Sequence, residues 1–375
     1  MSLAIIVGTR PEILKLAPVI HACEKNDIEF SLIHTGQHYS DDMDNVFFDV
    51  MDLPEPAQNL SVGSSTHGEQ TGRMLIELES IFDEAEFDAV VVQGDTNTVL
   101  AGALAASKLD IDIAHVEAGL RCFDWQMPEE INRRLTDHVS DFLFTPTQKT
   151  QRNLRKEGIP DERIHLTGNT IVDTVLRNRS LAAEQSTLLI ESGVDDTEFV
   201  LLTAHRAENV DEPGRFAGIL EGVSRFAAQH GMRVLYPVHP RARKQLDASD
   251  LSLPSEITAL EPLGYLDFLA LEDAASLVVT DSGGVQEEAC ILKTPCVTVR
   301  NSTERPETVE NGANVLAGTD PDRIMAAASR MIQSDTDWEN PFGDGNAGER
   351  IVSILAEPTG EANEELSLGE VTSDD

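Results

Sequence analysis

The chain has 375 residues, of which 28 are basic and 66 acidic, and its formal net charge is −38. Such a balance argues against nucleic-acid binding, because a phosphate backbone is bound by clustered lysine and arginine side chains. No apolar run approaches the roughly 20 residues that a membrane-spanning helix needs, so we expect no membrane association.

The acidic residues are spread along the chain, and periodic apolar patterning persists among them. We interpret the acidity as the signature of a high-salt cytoplasm, where screening weakens repulsion between surface carboxylates. The four cysteines lack any Cys-x-x-Cys pairing, which indicates reduced thiols in a cytoplasm and neither a disulfide scaffold nor a zinc site. The length and the 41% hydrophobic content fit two domains.

A first series of short apolar runs starts at the N-terminus and alternates with helical patterns. No basic segment precedes its first run, so we predict a strand there and no signal peptide. Continuous apolar strands that alternate with helices predict a buried parallel sheet. The strands of this series are predicted at residues 3–7, 30–34, 89–92, 113–116, 142–144 and 164–167.

Charged residues follow the first and third of these strands. Arg10 and Lys15 place two cations beside a tight turn, which favours an anion between them, although a solvated helix start is the alternative. Asp95 is either a carboxylate of a binding cleft or an ordinary cap of the helix that begins near Asn97.

Carboxylates also occur after the next predicted strand and at the start of the helix that follows it. Glu117 lies between an apolar strand and a small-residue turn, so we expect it to be half-buried, with the raised pKa that suits acid–base catalysis. The neighbouring His115 is predicted to be a packed strand residue. Glu129 and Glu130 begin a helix, whose dipole accounts for one of them, and we predict that the other faces the cleft.

A second series of apolar strands is predicted at residues 199–203, 234–236, 257–260, 277–280 and 296–299. Two series predict an α/β protein with two Rossmann-like, doubly wound parallel-sheet domains. We place these domains at residues 1–168 and 169–345. A last helix, at about 346–357, is predicted to pack back on the first domain, and residues 358–375 are predicted to form an acidic, unstructured tail.

Polar turns follow the strands of the second series as well. His205 and Arg206 form a candidate diphosphate clamp or proton donor, and His239 is either a third ligand at the same rim or a loop histidine. Ligands of doubly wound sheets collect beyond the carboxyl ends of the strands. We therefore expect the turns at Arg10 and Arg206 to face one cleft between the domains.

The most informative turn is Ser282-Gly283-Gly284, where a strand leads into a helix. Glycines let backbone N–H groups approach an anion closely, and the start of a helix carries partial positive charge. Glu288, further along that helix, can reach ribose hydroxyls. The stretch predicts a diphosphate-and-ribose site, with an ordinary glycine-rich turn as the alternative.

Other phosphate and metal signatures are missing from the sequence. No Gly-x-Gly-x-x-Gly follows the first strand and no Gly-x-x-x-x-Gly-Lys occurs, which disfavours NAD-dependent redox chemistry and ATP hydrolysis. No His-Glu-x-x-His or paired cysteine offers a zinc site. We therefore expect neither a cofactor nor a metal.

The order and spacing of these clusters, together with Thr167-Gly168-Asn169-Thr170 and Glu304-Arg305-Pro306-Glu307, resemble those of the non-hydrolysing UDP-N-acetylglucosamine 2-epimerase family over residues 3 to 356. The resemblance implies a glycosyltransferase-B type fold, a homodimer, and interconversion of UDP-GlcNAc and UDP-ManNAc. The implied catalytic residues are Asp95, Glu117, Glu129 and His205. The implied UDP-sugar contacts are Arg10, Lys15, His239, Ser282, Gly283, Gly284, Glu288 and Arg305.

The sequence also departs from the family pattern. The loop between Arg121 and Pro128 is shorter than in many bacterial members, and Ala207 replaces an arginine that often serves an activator site there, which argues against activation by UDP-GlcNAc. The Arg-Cys-Phe-Asp stretch resembles epimerases of UDP-2,3-diacetamido sugars. The alternatives are an enzyme of that class, a hydrolysing epimerase that releases ManNAc and UDP, a glycosyltransferase of the same fold and an inactive sugar-nucleotide sensor.

Overall fold

The computed structural model describes residues 1–37, 47–248 and 251–357, so the predicted tail at 358–375 lies outside the described residues. No helix in this described part is both long enough and apolar enough to cross a bilayer.

The N-terminal half of the chain is built on a parallel sheet of seven strands in the order β3-β2-β1-β4-β5-β6-β7. Its inner strands are buried on both faces, which explains their continuous apolar sequence. The strands are β1 (Ser2–Val7), β2 (Glu29–His34), β3 (Gln58–Asn59), β4 (Ala89–Gln93), β5 (Asp112–Val116), β6 (Phe142–Thr145) and β7 (Ile164–Leu166).

The C-terminal half has a second parallel sheet, of six strands in the order β10-β9-β8-β11-β12-β13. The strands are β8 (Phe199–Thr203), β9 (Arg233–Pro237), β10 (Ile257–Leu260), β11 (Leu277–Thr280), β12 (Cys296–Thr298) and β13 (Asn314–Leu316).

Both sheets follow the strand order of the Rossmann fold, so the predicted fold class of two doubly wound halves is confirmed. The order reverses between β1 and β4 in one sheet and between β8 and β11 in the other. A crevice opens at such a switch point, beyond the carboxyl ends of the strands. The turns that follow these four strands carry part of the predicted site, and the turn after β5 carries Glu117.

The helices cover both sheets and several begin at ordinary caps. Thr96, Asn169 and Ser282 each accept a hydrogen bond from a backbone N–H of the helix that follows them. The helices are α1 (Arg10–Lys25), α2 (His67–Glu84), α3 (Asn97–Ala106), α4 (Pro128–Val139), α5 (Gln148–Lys156), α6 (Thr170–Gln185), α7 (Leu188–Glu191), α8 (Ala207–Val210), α9 (Pro213–His230), α10 (Pro240–Ala248), α11 (Tyr265–Ala274), α12 (Gly283–Leu292), α13 (Pro306–Glu310), α14 (Pro321–Met331) and α15 (Ala347–Ala356).

Two helices connect the halves. Helix α6 packs against α1 of the N-terminal half and against α11 of the C-terminal half, and α15 packs on α1. The approach of α15 is close, because a Cβ added at Gly348 would lie 2.5 Å from the carbonyl oxygen of Pro18. Asp173 of α6 also accepts a hydrogen bond from the Gly348 N–H at 2.9 Å. The domain limits at 168 and 345 remain predictions.

Candidate active site

A cavity of about 510 Å³ lies between the two halves, at the switch points of both sheets. The turns at Thr9 and Asp95 line it from the N-terminal half, and those at His205 and Ser282 line it from the C-terminal half. The sequence predicted that the turns at Arg10 and Arg206 face one cleft, and in the structure Thr9 and Pro11 of the first turn and Arg206 of the second line this cavity. The predicted site residues that line the cavity are Lys15, Asp95, Glu117, Glu129, His205, Ser282, Gly283, Gly284 and Arg305.

The Ser-Gly-Gly turn presents the N-terminus of α12 to this cavity. Ser282 is the N-cap, and Gly283 and Gly284 are the first two helical residues. A Cβ added at either glycine would lie 3.9 Å from the nearest atom of a non-adjacent residue. Protein packing therefore does not require glycine at these positions. The missing side chains instead leave room for a ligand beside backbone N–H groups that favour an anion.

Glu117 is a carboxylate of the cavity that accepts hydrogen bonds from three side chains. Lys15 Nζ donates to its two oxygens at 2.7 and 2.8 Å, and an Arg305 guanidinium nitrogen donates at 2.8 Å. Gln93 donates to the same carboxylate. The backbone of Glu117 has φ +72°, a left-handed conformation that is costly for a side chain of this kind and is typical of functional sites.

The expected raised pKa of Glu117 is wrong in direction. Burial does act to raise the pKa of this carboxyl, but the charges of Lys15 and Arg305 outweigh it and hold the pKa below its usual value. The sequence showed the burial of Glu117 but not the two cations, because one of them comes from the other half of the chain. Glu117 is therefore an ionised carboxylate at neutral pH.

Asp95 is a cavity carboxylate and not a helix cap. The N-cap of α3 is Thr96, whose hydroxyl accepts the N–H of Val99, so the capping interpretation of Asp95 is wrong. Asp95 instead forms an ion pair with Arg133 of α4. The side chain of Asp95 remains 32% exposed, so its carboxylate is accessible from the cavity.

The two glutamates at the start of α4 have different environments. Glu130 is fully buried and forms ion pairs with Arg133 at 2.8 Å and Arg134 at 2.9 Å, which makes it part of the packing of α4. Glu129 lines the cavity. His115 is a packed strand residue, as predicted, and its Nδ1 lies 2.7 Å from Asp137.

His205 is oriented by a buried aspartate. Its Nδ1 lies 2.9 Å from Oδ1 of Asp281, which is completely buried. Asp281 also accepts hydrogen bonds from the backbone N–H groups of His205 and Arg206. Burial acts to raise the pKa of Asp281, but hydrogen bonding and charge from His205 hold it below its usual value. An ionised Asp281 keeps the proton on Nδ1 and leaves Nε2 for proton exchange.

Three predicted contacts do not line the cavity. The Arg10 guanidinium lies 5.2 Å from the centre of the Phe47 ring. His239 is at the rim, with its ring centre 5.6 Å from that of His205. Glu288 is buried behind the glycine turn, where burial and the charge of Glu287 raise its pKa to about 7. Their roles in UDP binding remain predictions.

Several residues that line this cavity or contact its lining residues were given no role in the sequence analysis. They are Gln93, Arg133, Asp281, Glu287 and Glu304. Asp281 and Glu287 belong to the same stretch as the Ser-Gly-Gly turn, and their position between a buried strand and a buried helix face could have indicated structural carboxylates. Among the described residues, no group of three His, Cys, Asp or Glu side chains is arranged to hold a metal ion.

Comparison with known proteins gives consistent matches over nearly the whole chain. The family model described as UDP-N-acetylglucosamine 2-epimerase matches residues 21–356. A UDP-N-acetylglucosamine 2-epimerase of Methanocaldococcus jannaschii is 54% identical over 361 residues, which are 95% of this chain and 99% of that protein. A UDP-2,3-diacetamido-2,3-dideoxy-D-glucuronate 2-epimerase of Pseudomonas aeruginosa is 41% identical over 363 residues, again 95% and 99% of the two chains.

A solved structure extends the match to three dimensions. The crystal structure of the Methanocaldococcus jannaschii UDP-GlcNAc 2-epimerase in complex with UDP-GlcNAc and UDP superimposes with a TM-score of 0.85 at 52% identity. The match covers 95% of this chain and 99% of that one.

Proposed function

The chain belongs to the UDP-N-acetylglucosamine 2-epimerase family, and from that premise we propose that it interconverts UDP-GlcNAc and UDP-ManNAc without hydrolysis. The observation that carries the proposal is that two kinds of chemical group face each other across one cavity. Carboxylates from the N-terminal half face the anion-binding start of α12 from the C-terminal half. A sugar linked to a diphosphate needs these two kinds of group at adjacent atoms.

The proposed reaction begins at the bond between C1 of the sugar and the diphosphate oxygen. As this bond breaks, UDP leaves with the electron pair and the developing positive charge acidifies the C2–H bond. The N–H groups of Gly283 and Gly284, with His205 and Arg206, stabilise the departing diphosphate. Glu117 accepts the C2 proton, a C1=C2 double bond forms, and the product is 2-acetamidoglucal with free UDP.

The reverse addition then sets the new configuration. A proton is delivered to the opposite face of C2, and UDP adds again at C1. Asp95 and Glu129 line the same cavity as Glu117 and supply the second acid–base group that inversion requires. Arg10, His239 and Glu288 are proposed to contact the UDP part of the substrate, with Lys15 and Arg305 as further contributors.

The direct test is product analysis by proton NMR. The purified protein is incubated with UDP-GlcNAc at high salt until the spectrum stops changing. We expect a mixture of UDP-GlcNAc and UDP-ManNAc. Accumulation of free ManNAc and UDP would instead identify a hydrolysing enzyme, and binding of UDP-GlcNAc without any product would identify a sensor.

A second substrate has specific support. The Pseudomonas aeruginosa relative is named for a UDP-2,3-diacetamido sugar, and the Arg-Cys-Phe-Asp stretch after Leu120 also resembles such enzymes. The same incubation with a UDP-2,3-diacetamido sugar decides between the two. We expect a higher kcat/KM for UDP-GlcNAc.

We also propose that the chain acts as a homodimer in the cytoplasm. The exposed face of α4 supports self-association, since Ile131 and Leu135 are 41% and 47% exposed one turn apart. Beside them Arg134 stacks on the exposed ring of Trp125. Light scattering at high salt tests this state, and a monomer mass would contradict it.

A further inference from the structure

Glu287 is a buried carboxylate that the proposed reaction does not use. It lies in α12, one turn after Gly283, and its side chain is 1% exposed. Asn169 Nδ2 donates to its Oε1 at 3.0 Å, and Arg305 Nε lies 2.5 Å from the same oxygen. Lys15 Nζ donates to its other oxygen at 3.3 Å.

The two cations that contact Glu287 are the same two that contact Glu117. Lys15, Glu117, Arg305 and Glu287 thus form a four-charge cluster in which signs alternate. Lys15 and Glu117 belong to the N-terminal half, and Glu287 and Arg305 to the C-terminal half. The side chains are between 1% and 13% exposed, so water screens these charges weakly.

Glu287 differs from the other three members in its access to the cavity. Lys15, Glu117 and Arg305 line it, whereas Glu287 is not among its lining residues. We propose that Glu287 is a positioning residue that offsets one of the two positive charges on Glu117 and holds Lys15 and Arg305 in place, an inference that rests on the proposed function.

The direction of the effect follows from the charge count. Burial raises the pKa of Glu287 above its usual value, whereas the charges of Arg305 and Lys15 favour its ionised form. Without the negative charge of ionised Glu287, two cations surround one carboxylate, the pKa of Glu117 falls further below its usual value, and Glu117 becomes a weaker base. Without Lys15 the opposite holds, and the pKa of Glu117 rises. Other titratable or charged groups also act on this cluster. They are Arg133 on Glu117, Glu288 on Glu287, and Glu304 and Asp95 on Arg305, and all four stay unchanged in every variant.

The test combines two substitutions in the full-length chain. We expect Glu287→Gln to lower kcat by about 10- to 100-fold while KM for UDP-GlcNAc stays within about twofold, because Glu287 does not touch the cavity. Lys15→Met should move the acid limb of the pH–rate profile to higher pH. Adding Glu287→Gln to Lys15→Met should move that limb back to lower pH, since the cluster is neutral again.

The controls separate charge balance from a structural role. Glu349→Gln removes a carboxylate of a surface ion pair with Lys25 and should leave kcat and the acid limb unchanged. If the single variant Glu287→Gln fails to fold, the pH of the acid limb can still be compared between Lys15→Met and the neutral double variant.

Two outcomes would overturn separate parts of the reasoning. An acid limb at the same pH in Lys15→Met and in the double variant, with an active wild-type enzyme, refutes the role of Glu287 alone. A wild-type enzyme without epimerase activity refutes the proposed function and this inference together.

Discussion

Gly284→Ala should strengthen the fold and weaken UDP binding. Gly284 is the second residue of α12, and an added Cβ would lie 3.9 Å from Ser282 Oγ, so alanine fits without a clash. Replacing a helical glycine by alanine stabilises by about 0.5–1 kcal/mol. The same methyl group would occupy the space where a phosphate approaches the helix N-terminus.

The substitution therefore changes fold stability and UDP affinity in opposite directions. Loss of a charge-assisted hydrogen bond costs about 1.5–3 kcal/mol, so we expect UDP to bind roughly 10- to 150-fold more weakly. Isothermal titration calorimetry with UDP gives the Kd, and urea unfolding gives the stability. Gly214→Ala is the matched control, because Gly214 is the second residue of α9 and a Cβ there would meet nothing within 4 Å. An unchanged Kd for Gly284→Ala would show that this turn does not hold the diphosphate.

Three further substitutions test other parts of the site and the fold. Glu117→Gln should lower kcat by about 10²- to 10⁴-fold with little change in the Kd of UDP, and a wild-type kcat would remove Glu117 from the reaction. Asp281→Asn should lower kcat at least about tenfold and shift the NMR signals of the His205 ring toward the other tautomer, whereas unchanged signals would refute its orienting role. Glu272→Met should raise the free energy of unfolding by about 1–3 kcal/mol, because neither Glu272 oxygen has a hydrogen-bond partner in the structure. Burial, and then the charge of Glu288, raises the pKa of Glu272 well above its usual value, so wild-type stability falls as the pH rises past the ordinary glutamate pKa. The gain should therefore be larger at about pH 8 than at about pH 5, and an equal gain at both would contradict a protonated Glu272.

The fold was largely predictable because it depends on local patterns. Long apolar runs identified the inner strands, and each predicted strand occurs within about two residues of its expected ends. Two short edge strands were missed for a physical reason. β3 has two residues, both exposed, and β13 has three and begins with a buried asparagine, so neither gives an apolar run.

The positions of the site's turns could be predicted from the sequence, but the direction of the pKa shift of Glu117 could not. The rule that ligands collect beyond strand ends predicted that the turns at Arg10 and Arg206 face one cleft, and both turns line the cavity. The pKa of Glu117 depended on Arg305, which is 188 residues away in the chain. No local pattern can indicate such a pairing, so the sign of the pKa shift needed the three-dimensional structure.

The most direct measurement follows the hydrogen at C2 of the sugar. If UDP leaves and returns while a carboxylate of the cavity removes the C2 proton, then UDP-ManNAc formed from UDP-GlcNAc in heavy water carries deuterium at C2. Mass spectrometry and proton NMR of the product report this deuterium. UDP-ManNAc that retains the original C2 hydrogen would contradict elimination and re-addition in this cavity.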